Sequence, residues 1–256
     1  MKIVAIVQAR MGSSRFPGKP LERIGEWSLI ELVLNRVRQS TKVEQVILAT
    51  STNPIDDPLA NHVKNLDFHV HRGSENDVLS RFYDAAKTFN PEVVVRISGD
   101  CPLISPGLID YAISKFDDER VDYLSLSIGE EKKIAYPRGL DVEVTSFKAL
   151  TIAAENATKQ YEREHVMPYL YTHGDAFSTF YLDPELKYSR PNYRLCVDTQ
   201  KDFELILRIH ENFRERLIST DFQEIIEFLD RNPEIASINH DVKQKHFTEF
   251  DDRTRQ

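Results

Sequence analysis

The stretch KIVAIVQARMGSSRFPGKPL, residues 2–21, decides the fold. Its first eight residues, KIVAIVQA, form an apolar and β-branched run with the length and composition of a buried strand. A polar and cationic loop that contains glycine, serine and proline follows at once. In an open α/β sheet the ligand lies outside the carboxyl ends of the strands. This order therefore predicts a first strand whose following loop reaches a binding site.

The same alternation of strand and helix continues along the chain. Further strand-like runs are VEQVILAT at 43–50, FHVHR at 68–72, VVVRIS at 93–98 and DYLSLS at 122–127, and helix-like segments lie near 27–39, 57–65, 76–89 and 106–116. Strands that alternate with helices pair in parallel through right-handed crossovers. The sequence therefore predicts an α/β fold with three α/β/α layers, in which a mostly parallel, Rossmann-like sheet lies between helices.

After about residue 128 the alternation loosens. The later patterns predict strands at LDVEVT (140–145), STFYLD (178–183) and YRLCVDT (193–199), and helices near 146–157, 161–173, 200–214 and 221–230. No linker rich in glycine, proline or serine separates these segments. We therefore expect one domain over 1–256, with a core of about 1–128 and 177–232 and an inserted region of about 129–176.

Composition excludes several classes of partner. The formal net charge is −8, which disfavours non-specific binding to nucleic acid or to an anionic membrane. The chain has no run close to 18 apolar residues, and Gln8 and Arg10 interrupt the first apolar stretch before it could act as a secretory signal. Cys101 and Cys196 lack the spacing of a zinc site. We expect a cytoplasmic protein with two reduced, buried cysteines.

The loop RMGSSRFPGK, residues 10–19, carries the strongest functional signal. Gly12 lets the backbone approach an anion closely, and Ser13 offers hydroxyl and amide donors. A triphosphate has about four negative charges, which a cationic cluster and a divalent ion together can compensate. A solvated connection with exposed charges remains the alternative on composition alone. The cations of the loop are Arg10, Arg15 and Lys19.

Two aspartates follow later predicted strands. Asp100 comes just after VVVRIS, and Asp198 ends YRLCVDT and precedes a predicted helix. Carboxylates at strand tips suit Mg²⁺, which accepts one or two protein oxygens and takes its other ligands from water and phosphate. Helix capping is the ordinary alternative for either aspartate. We expect neither Lys19 nor Asp100 to lie in the core.

The string QARMGSSRFPGKPL resembles the N-terminal signature of the cytidylyltransferases that activate sugar acids. The resemblance is strongest to members named for spore coat polysaccharide biosynthesis, and weaker to the KDO and acylneuraminate cytidylyltransferases. It covers about residues 2–207 in register, through the segments LATSTNPIDDP, RGSENDVLSRFYDAA, VVVRISGDCPLI, PRGLDVEV, YEREHVMPYLY and CVDTQKDFELI. It implies a fold like that of nucleotide-diphospho-sugar transferases, a homodimer, and transfer of CMP from CTP to a sugar acid.

The resemblance also implies roles for individual residues. The implied catalytic residues are Arg10, Lys19 and Asp100. The implied nucleotide-binding residues are Ala9, Arg10, Gly12, Ser13, Arg15, Lys19, Ser74, Asp77 and Ser98. The implied ligands of Mg²⁺ are Asp100 and Asp198. The implied contacts to the sugar acid are Arg138, Asp141, Arg163 and His165.

Several of these residues have structural alternatives. Asp141 and Glu143 alternate along a predicted strand and suit the solvated face of an edge strand equally well. The charges around Arg163 suit ion pairs on a helix surface. Ser74, three residues before Asp77, resembles a capping box at the start of a helix.

Two other functions stay open. The first is a glycosyltransferase that uses an already activated nucleotide sugar, since such enzymes share this fold and an aspartate-bound metal. The second is a binding subunit that keeps the fold without the chemistry. Pyrophosphate release from CTP and a sugar acid distinguishes the cytidylyltransferase from the first, and binding of CTP or Mg²⁺ distinguishes it from the second.

Overall fold

The computed structural model describes residues 1–129 and 132–244 of the protein, and a central sheet of seven strands organises them. The strands are β1 (Ile3–Gln8), β2 (Arg23–Ile24), β3 (Trp27–Ser28), β4 (Gln45–Ser51), β5 (His69–Gly73), β6 (Val93–Ser98), β7 (Tyr123–Leu126), β8 (Glu143–Ser146) and β9 (Thr179–Leu182). The order in the sheet is β5-β4-β1-β6-β8-β7-β9, while β2 and β3 form a separate hairpin. β8 is antiparallel to both of its neighbours, and the other pairings in the large sheet are parallel.

Helices cover both faces of this sheet. They are α1 (Leu29–Arg38), α2 (Asp57–Asn65), α3 (Val78–Lys87), α4 (Pro106–Glu119), α5 (Phe147–Asn156), α6 (Gln160–His165), α7 (Pro168–Thr172), α8 (Gln200–Phe213), α9 (Phe222–Arg231) and α10 (Pro233–Ala236). Successive side chains of β1 point to opposite faces, as the pleat requires. Ala5 packs in one core with α1, α4 and α8, and Ile6 packs in the other with α3 and α5. The predicted three-layer α/β/α fold is confirmed.

Most predicted elements are present within a few residues of their predicted bounds. The predicted strands found in this way are β1, β4, β5, β6 and β7. The predicted helices are α1 to α4 and, after residue 199, the two long helices α8 and α9. Cys101 and Cys196 are free and buried, as expected. No helix among the described residues is both long enough and apolar enough to cross a bilayer.

The predicted strand YRLCVDT is wrong, since residues 193–199 form a loop over the carboxyl end of the sheet. The amide of Leu195 donates to the carbonyl of Arg138 at 2.6 Å, and that of Val197 donates to the carbonyl of Asp100 at 2.8 Å. The segment therefore crosses two other loops instead of lying beside one strand. Its apolar residues reflect burial in this crossing, which a sequence pattern does not distinguish from a strand.

The helix predicted over 161–173 is two helices, α6 and α7. Val166 lies between them with a φ of 73°, a left-handed value that is rare for a β-branched residue. Pro168 follows and starts α7, because proline has no amide to donate and suits the first turn of a helix. Pro168 was the sequence signal for this break.

The expected insertion at 129–176 contributes an internal strand to the main sheet. β8 lies between β6 and β7, with Glu143 opposite Arg96 on one side and Ser125 on the other. The alternative of a solvated edge strand for Asp141 and Glu143 is therefore wrong. Both side chains face a cavity instead.

Gly99 allows the ends of β1 and β6 to meet closely. A Cβ atom at Gly99 would lie 2.6 Å from the carbonyl oxygen of Gln8 and 2.7 Å from the Cβ of Ala9. The amide of Gly99 donates to the same carbonyl at 2.8 Å. This approach places the loop after β1 beside the loop that holds Asp100.

Replacing Gly99 by alanine should destabilise the protein. The added methyl group must push two backbone segments apart, and we expect Gly99→Ala to lower the free energy of unfolding by about 1–3 kcal/mol. Urea denaturation measures this loss. Gly174→Ala is the matched control, because a Cβ there meets no atom within 4 Å, and we expect a change within about 0.5 kcal/mol. Equal losses in both variants would contradict the close approach at Gly99.

Candidate active site

Lys19 lies between two carboxylates from distant parts of the chain. Its Nζ donates to Asp100 Oδ2 at 2.9 Å, to Asp198 Oδ1 at 3.0 Å and to the carbonyl oxygen of Val197 at 2.6 Å. Lys19 is only 9% exposed, so the expectation that it lies outside the core is wrong. Three acceptors compensate the burial of its charge. The cationic loop and the two acids therefore meet at the carboxyl end of the sheet.

The loop before Lys19 is fixed by its own backbone and by one buried acid. The amide of Met11 donates to Asp56 Oδ1 at 2.7 Å, and Asp56 is almost completely buried. Gly18 has a φ of 78°, which favours glycine, and its amide donates to the carbonyl of Met11 at 2.9 Å. A short 3₁₀ helix, Lys19–Leu21, starts directly after this turn. The turn thus directs the Lys19 side chain inward.

Asp198 is the most strongly charge-paired residue of the site. Besides Lys19, its Oδ2 is 2.9 Å from Arg15 and 2.5 Å from Arg194. Burial alone would raise the pKa of Asp198, but Lys19, Arg15 and Arg194 together lower that pKa to about 2. Burial also opposes the charge of Lys19, and Asp100 and Asp198 outweigh it and raise the pKa of Lys19. Asp198 and Lys19 are therefore both charged at neutral pH.

Asp100 and Asp198 are the residues that fit a divalent ion. No group of three or more His, Cys, Asp or Glu side chains within the described ranges is placed to hold a metal alone. Mg²⁺ does not require such a group when a triphosphate supplies further oxygens. Asp100 Oδ1 faces the thiol of Cys101 at 3.6 Å, a weak donor, while Asp198 is engaged by three cations. The hard oxygen donors fit Mg²⁺, and Asp100 is the more accessible of the two.

Neither aspartate caps a helix. The N-cap of α4 is Ser105 and the N-cap of α8 is Thr199, each through its own hydroxyl. The alternative of a capping role is therefore wrong for Asp100 and Asp198. Their carboxylates point to Lys19 instead.

A cavity of about 300 Å³ lies at the end of β6, where Ser98, two residues before Asp100, forms part of its wall. Its wall holds cations, carboxylates, hydroxyls and one exposed aromatic ring. The lining residues are Arg96, Ser98, Ser125, Leu126, Ser127, Ile128, Lys132, Asp141, Glu143 and Tyr181. Such a mixture suits a small, hydroxylated and anionic ligand.

Two cations of the cavity differ in how they are held. Arg96 forms an ion pair with Glu143, and its Nε donates to Gln8 Oε1 at 3.2 Å. Lys132 donates to the Ser127 hydroxyl at 3.0 Å and lies 4.5 Å from the centre of the Tyr181 ring. Lys132 has no carboxylate partner among the described residues. Its positive charge is therefore the one available to an anionic ligand.

Asp141 lies in the cavity wall, whereas Arg138 does not belong to the described lining. Burial raises the pKa of Asp141, against the opposing effects of the Gly139 amide, which donates to Oδ2 at 2.6 Å, and of Arg138. The guanidinium of Arg138 packs against Gly129, where a Cβ would come within 2.5 Å of it. Asp141 thus faces the cavity as a carboxylate that is readily protonated.

Arg163 and Asp77 form a pair on the α3 side of the sheet. Arg163 Nε donates to Asp77 Oδ1 at 2.9 Å, and its NH1 donates to the carbonyl of Ala154 at 2.7 Å. Asp77 is also the N-cap of α3, while the hydroxyl of Ser74 accepts from the Asp77 amide at 3.0 Å. The capping box predicted from Ser74 is therefore wrong, because the helix starts after Asp77. His165 is the last residue of α6.

The remaining loop residues lie before the turn at Gly18. Arg10 NH1 is 4.0 Å from Glu75 Oε1, near the β5–α3 connection. The Ala9 amide donates to the carbonyl of Ala49 at 3.3 Å, and the Ser13 amide donates to that of Met11 at 2.9 Å, with Gly12 between these segments. Arg10 therefore faces away from the Asp198 cluster, which Arg15 and Lys19 join.

The sequence reasoning missed Arg96, Lys132, Arg194 and Asp202. Arg96 had a signal, because a charged residue within the apolar run VVVRIS requires a buried partner. Asp202 had one too, since Thr199 and Asp202 have the spacing of a capping box, which the structure forms. Lys132 and Arg194 had no recognisable signal, because both lie in loops whose course over the sheet no periodicity predicts.

Cations and carboxylates gather at the carboxyl ends of the parallel strands, where open α/β proteins bind their ligands. The model of the family described as "Cytidylyltransferase" matches residues 4–229. The chain therefore belongs to the cytidylyltransferase family, which is a family of nucleotidyltransferases.

Individual proteins agree with this assignment. The chain is 41% identical over 252 residues to an uncharacterised protein of Methanocaldococcus jannaschii, with 98% of this chain and 100% of the relative covered. It is 34% identical over 240 residues to the spore coat polysaccharide biosynthesis protein SpsF of Bacillus subtilis, with 92% and 97% covered. A solved cytidylyltransferase structure from Leptospira borgpetersenii is similar with a TM-score of 0.84 and 31% identity, over 96% of this chain and 100% of that chain.

The lowered pKa of Asp198 predicts a defined acid sensitivity. Because the folded-state pKa of about 2 lies below the ordinary value near 4, the stabilisation is complete above about pH 4 and is lost as pH falls towards 2. Asp198→Asn should therefore cost about 2 kcal/mol of unfolding free energy at pH 6, and the difference from wild type should shrink towards pH 2. Urea denaturation at several pH values measures it, with Asp118→Asn on the exposed side of α4 as control. A difference that is independent of pH would refute the assignment.

Proposed function

We propose that the protein transfers CMP from CTP to a sugar acid and releases pyrophosphate. The observation that supports this most directly is the meeting of Lys19, Asp100 and Asp198 after the end of β6, the strand whose residues Arg96 and Ser98 line a cavity that contains Lys132. A triphosphate needs cations and a metal-binding carboxylate, and a sugar acid needs a cation and several hydroxyl partners. The two sets are linked through β6, because Ser98 lines the cavity two residues before Asp100, and a direct transfer requires both substrates to meet there.

The proposed reaction is a single displacement at phosphorus. A hydroxyl oxygen of the sugar acid forms a bond to the α-phosphorus of CTP, and the bond from that phosphorus to the bridging oxygen of pyrophosphate breaks. Pyrophosphate leaves with the electron pair. The hydroxyl proton passes to Asp141, whose position in the cavity and raised pKa suit a general base.

The cations of the loop stabilise the nucleotide. Lys19 and Arg15 neutralise the β- and γ-phosphates and the charge that develops on pyrophosphate. Arg10, on the β5–α3 side, assists the nucleoside end together with Ser74 and Asp77, and the loop backbone near Ala9, Gly12 and Ser13 faces the base and phosphates. Ser98 lies in the cavity wall, two residues before Asp100.

Asp100 and Asp198 would hold Mg²⁺ together with the phosphates of CTP. When bound, the ion supplies charge neutralisation at the phosphoryl oxygens. Asp100 contributes the more exposed carboxylate, and Asp198 contributes one whose direction is fixed by three cations.

The acceptor contacts that the geometry favours differ in part from those the resemblance implied. Asp141 remains a contact, while Lys132 takes the role first given to Arg138 and binds the carboxylate of the acid. Tyr181 supports the flexible Lys132 side chain. The serine hydroxyls of the wall suit the sugar hydroxyls. Arg163 then acts from the α6 side through its pair with Asp77 and not as a direct contact. His165, at the end of α6, is kept as a proposed contact.

We also propose a biological setting. The similarity to a spore coat polysaccharide protein supports a role in polysaccharide biosynthesis, in the cytoplasm, where CTP is available. A homodimer through the region around β8 is proposed on the same resemblance.

The reaction is tested by pyrophosphate release from CTP, Mg²⁺ and a panel of 2-keto sugar acids. We expect release with CTP and one or more acids, and Asp100→Asn should lower kcat by about 100-fold or more, because one carboxylate of the proposed metal site is lost. Asp118→Asn is the matched surface control and should be unchanged. If no acid of the panel gives pyrophosphate release with CTP, or if Asp100→Asn reacts at the normal rate, the proposal is refuted.

The acceptor site is tested with Lys132→Met. Loss of a charge-assisted contact costs about 1.5–3 kcal/mol, so KM for the acid should rise by about 10- to 100-fold while KM for CTP stays constant. Lys133→Met removes the same charge from the neighbouring exposed position and serves as control. An unchanged KM for the acid in Lys132→Met would show that the carboxylate binds elsewhere.

A further inference from the structure

Arg194 connects Asp198 to two other parts of the chain. Its NH2 donates to Asp198 Oδ2 at 2.5 Å, its Nε donates to Asp202 Oδ1 at 3.0 Å, and its NH1 donates to Gln244 Oε1 at 2.6 Å. Arg194 is only 8% exposed. Its planar guanidinium has fixed donor directions, so three such contacts determine its orientation. One of those contacts reaches the C-terminal segment, which we define as residues 237–244.

Asn239 anchors this C-terminal segment to Arg194 and Asp202. Its Nδ2 donates to Asp202 Oδ1 at 2.8 Å and to the carbonyl oxygen of Arg194 at 2.9 Å. Asn239 is 2% exposed and Asp202 is fully buried. Buried polar groups of this kind are costly to leave unpaired, so the network holds as a unit.

Asp202 carries the same network to the backbone of Asp198. Its Oδ2 accepts from the amides of Asp198 at 3.0 Å and Thr199 at 2.8 Å, and from the Thr199 hydroxyl at 2.9 Å. Asp202 thus fixes the main chain of Asp198, and Arg194 fixes its carboxylate. Both of these residues are bound by Asn239.

We infer that the C-terminal segment, through Asn239 and Gln244, sets the direction of the Asp198 carboxylate, with Arg194 and Asp202 as positioning residues. The inference rests on the proposed function, in which Asp198 binds the metal and nucleotide. The segment lies beyond the residues that the family model matches. Partners that orient a metal ligand commonly affect metal affinity or activity by about 10- to 100-fold when they are lost.

The geometry explains why this arrangement bears on the reaction. With Oδ2 held by Arg194, Asp198 presents Oδ1 to Lys19. Without Asn239, Asp202 Oδ1 and the Arg194 carbonyl each lose a donor, so Asp202 and the Arg194 main chain, which together position the guanidinium, are held less tightly. Asp198 would then follow the guanidinium, and a displacement of about 1 Å at a reacting group is enough to lower the rate strongly.

The test compares Asn239→Ala with Asp241→Ala in the full-length protein. Asp241 lies in the same C-terminal segment and pairs with Lys201 at an exposed position, so it is the matched control. We expect Asn239→Ala to lower kcat by about tenfold and to raise the Mg²⁺ concentration for half-maximal pyrophosphate release by a similar factor. KM for the acid should be unchanged, and Asp241→Ala should behave as wild type. A crystal structure of Asn239→Ala should show the Asp198 carboxylate turned away from Lys19.

Gln244→Ala is a milder second variant, since Gln244 is exposed and its side-chain oxygen accepts from the NH1 of Arg194. It should raise the Mg²⁺ requirement in the same direction with full stability. A lowered melting temperature with unchanged kcat and Mg²⁺ dependence in both variants would overturn the inference and leave the network a structural one. If wild type releases no pyrophosphate, the proposed function fails, and the position of Asp198 in the Asn239→Ala crystal structure decides the inference alone.

Discussion

The buried ammonium of Lys19 is the constraint on which the site depends. A buried cation is tolerated only with carboxylate or carbonyl partners, and these come from the loop after β6 and the start of α8. Three segments far apart in sequence must therefore meet at one point. Losing one carboxylate would leave the buried ammonium of Lys19 partly uncompensated. Breaking a buried ion pair by removing one partner therefore costs more than the intact pair contributes to stability. The ammonium thus fixes the geometry of the carboxyl end of the sheet.

The two carboxylates around Lys19 are not equivalent. Asp198 faces Lys19, Arg15 and Arg194, and its low pKa follows from that excess of cations. Asp100 faces Lys19 and a thiol, and its side chain is 27% exposed. A site for a triphosphate benefits from this difference, because a fixed acid preserves the geometry while an accessible one exchanges its partners as ligands arrive. The asymmetry comes from the loop that the sequence pattern described as a strand.

Local patterns in the sequence were sufficient for the layers of the fold and for the cationic loop. Apolar, β-branched runs predict β1 and β6, and Lys19 and Asp100 lie in the segments that follow these strands. The interactions that complete the site are not local. Arg194 depends on a segment about 45 residues further on, and Lys132 depends on β9 for its aromatic support. Periodicity predicts the type of each element. Partners of this kind depend on the topology, which the pattern of one sequence does not predict reliably.

β6 joins the two halves of the site. Arg96 and Ser98 lie on one face of this strand and line the cavity, and Asp100 follows after the turn at Gly99. β8 enters the sheet beside β6 and places Glu143 opposite Arg96, so the antiparallel strand contributes to the cavity wall. The groups proposed to bind a triphosphate and those proposed to bind an acceptor therefore belong to different elements that share β6. If the proposed function holds, changes around β7–β9 would alter which acid fits the cavity while Lys19, Asp100 and Asp198 keep their positions.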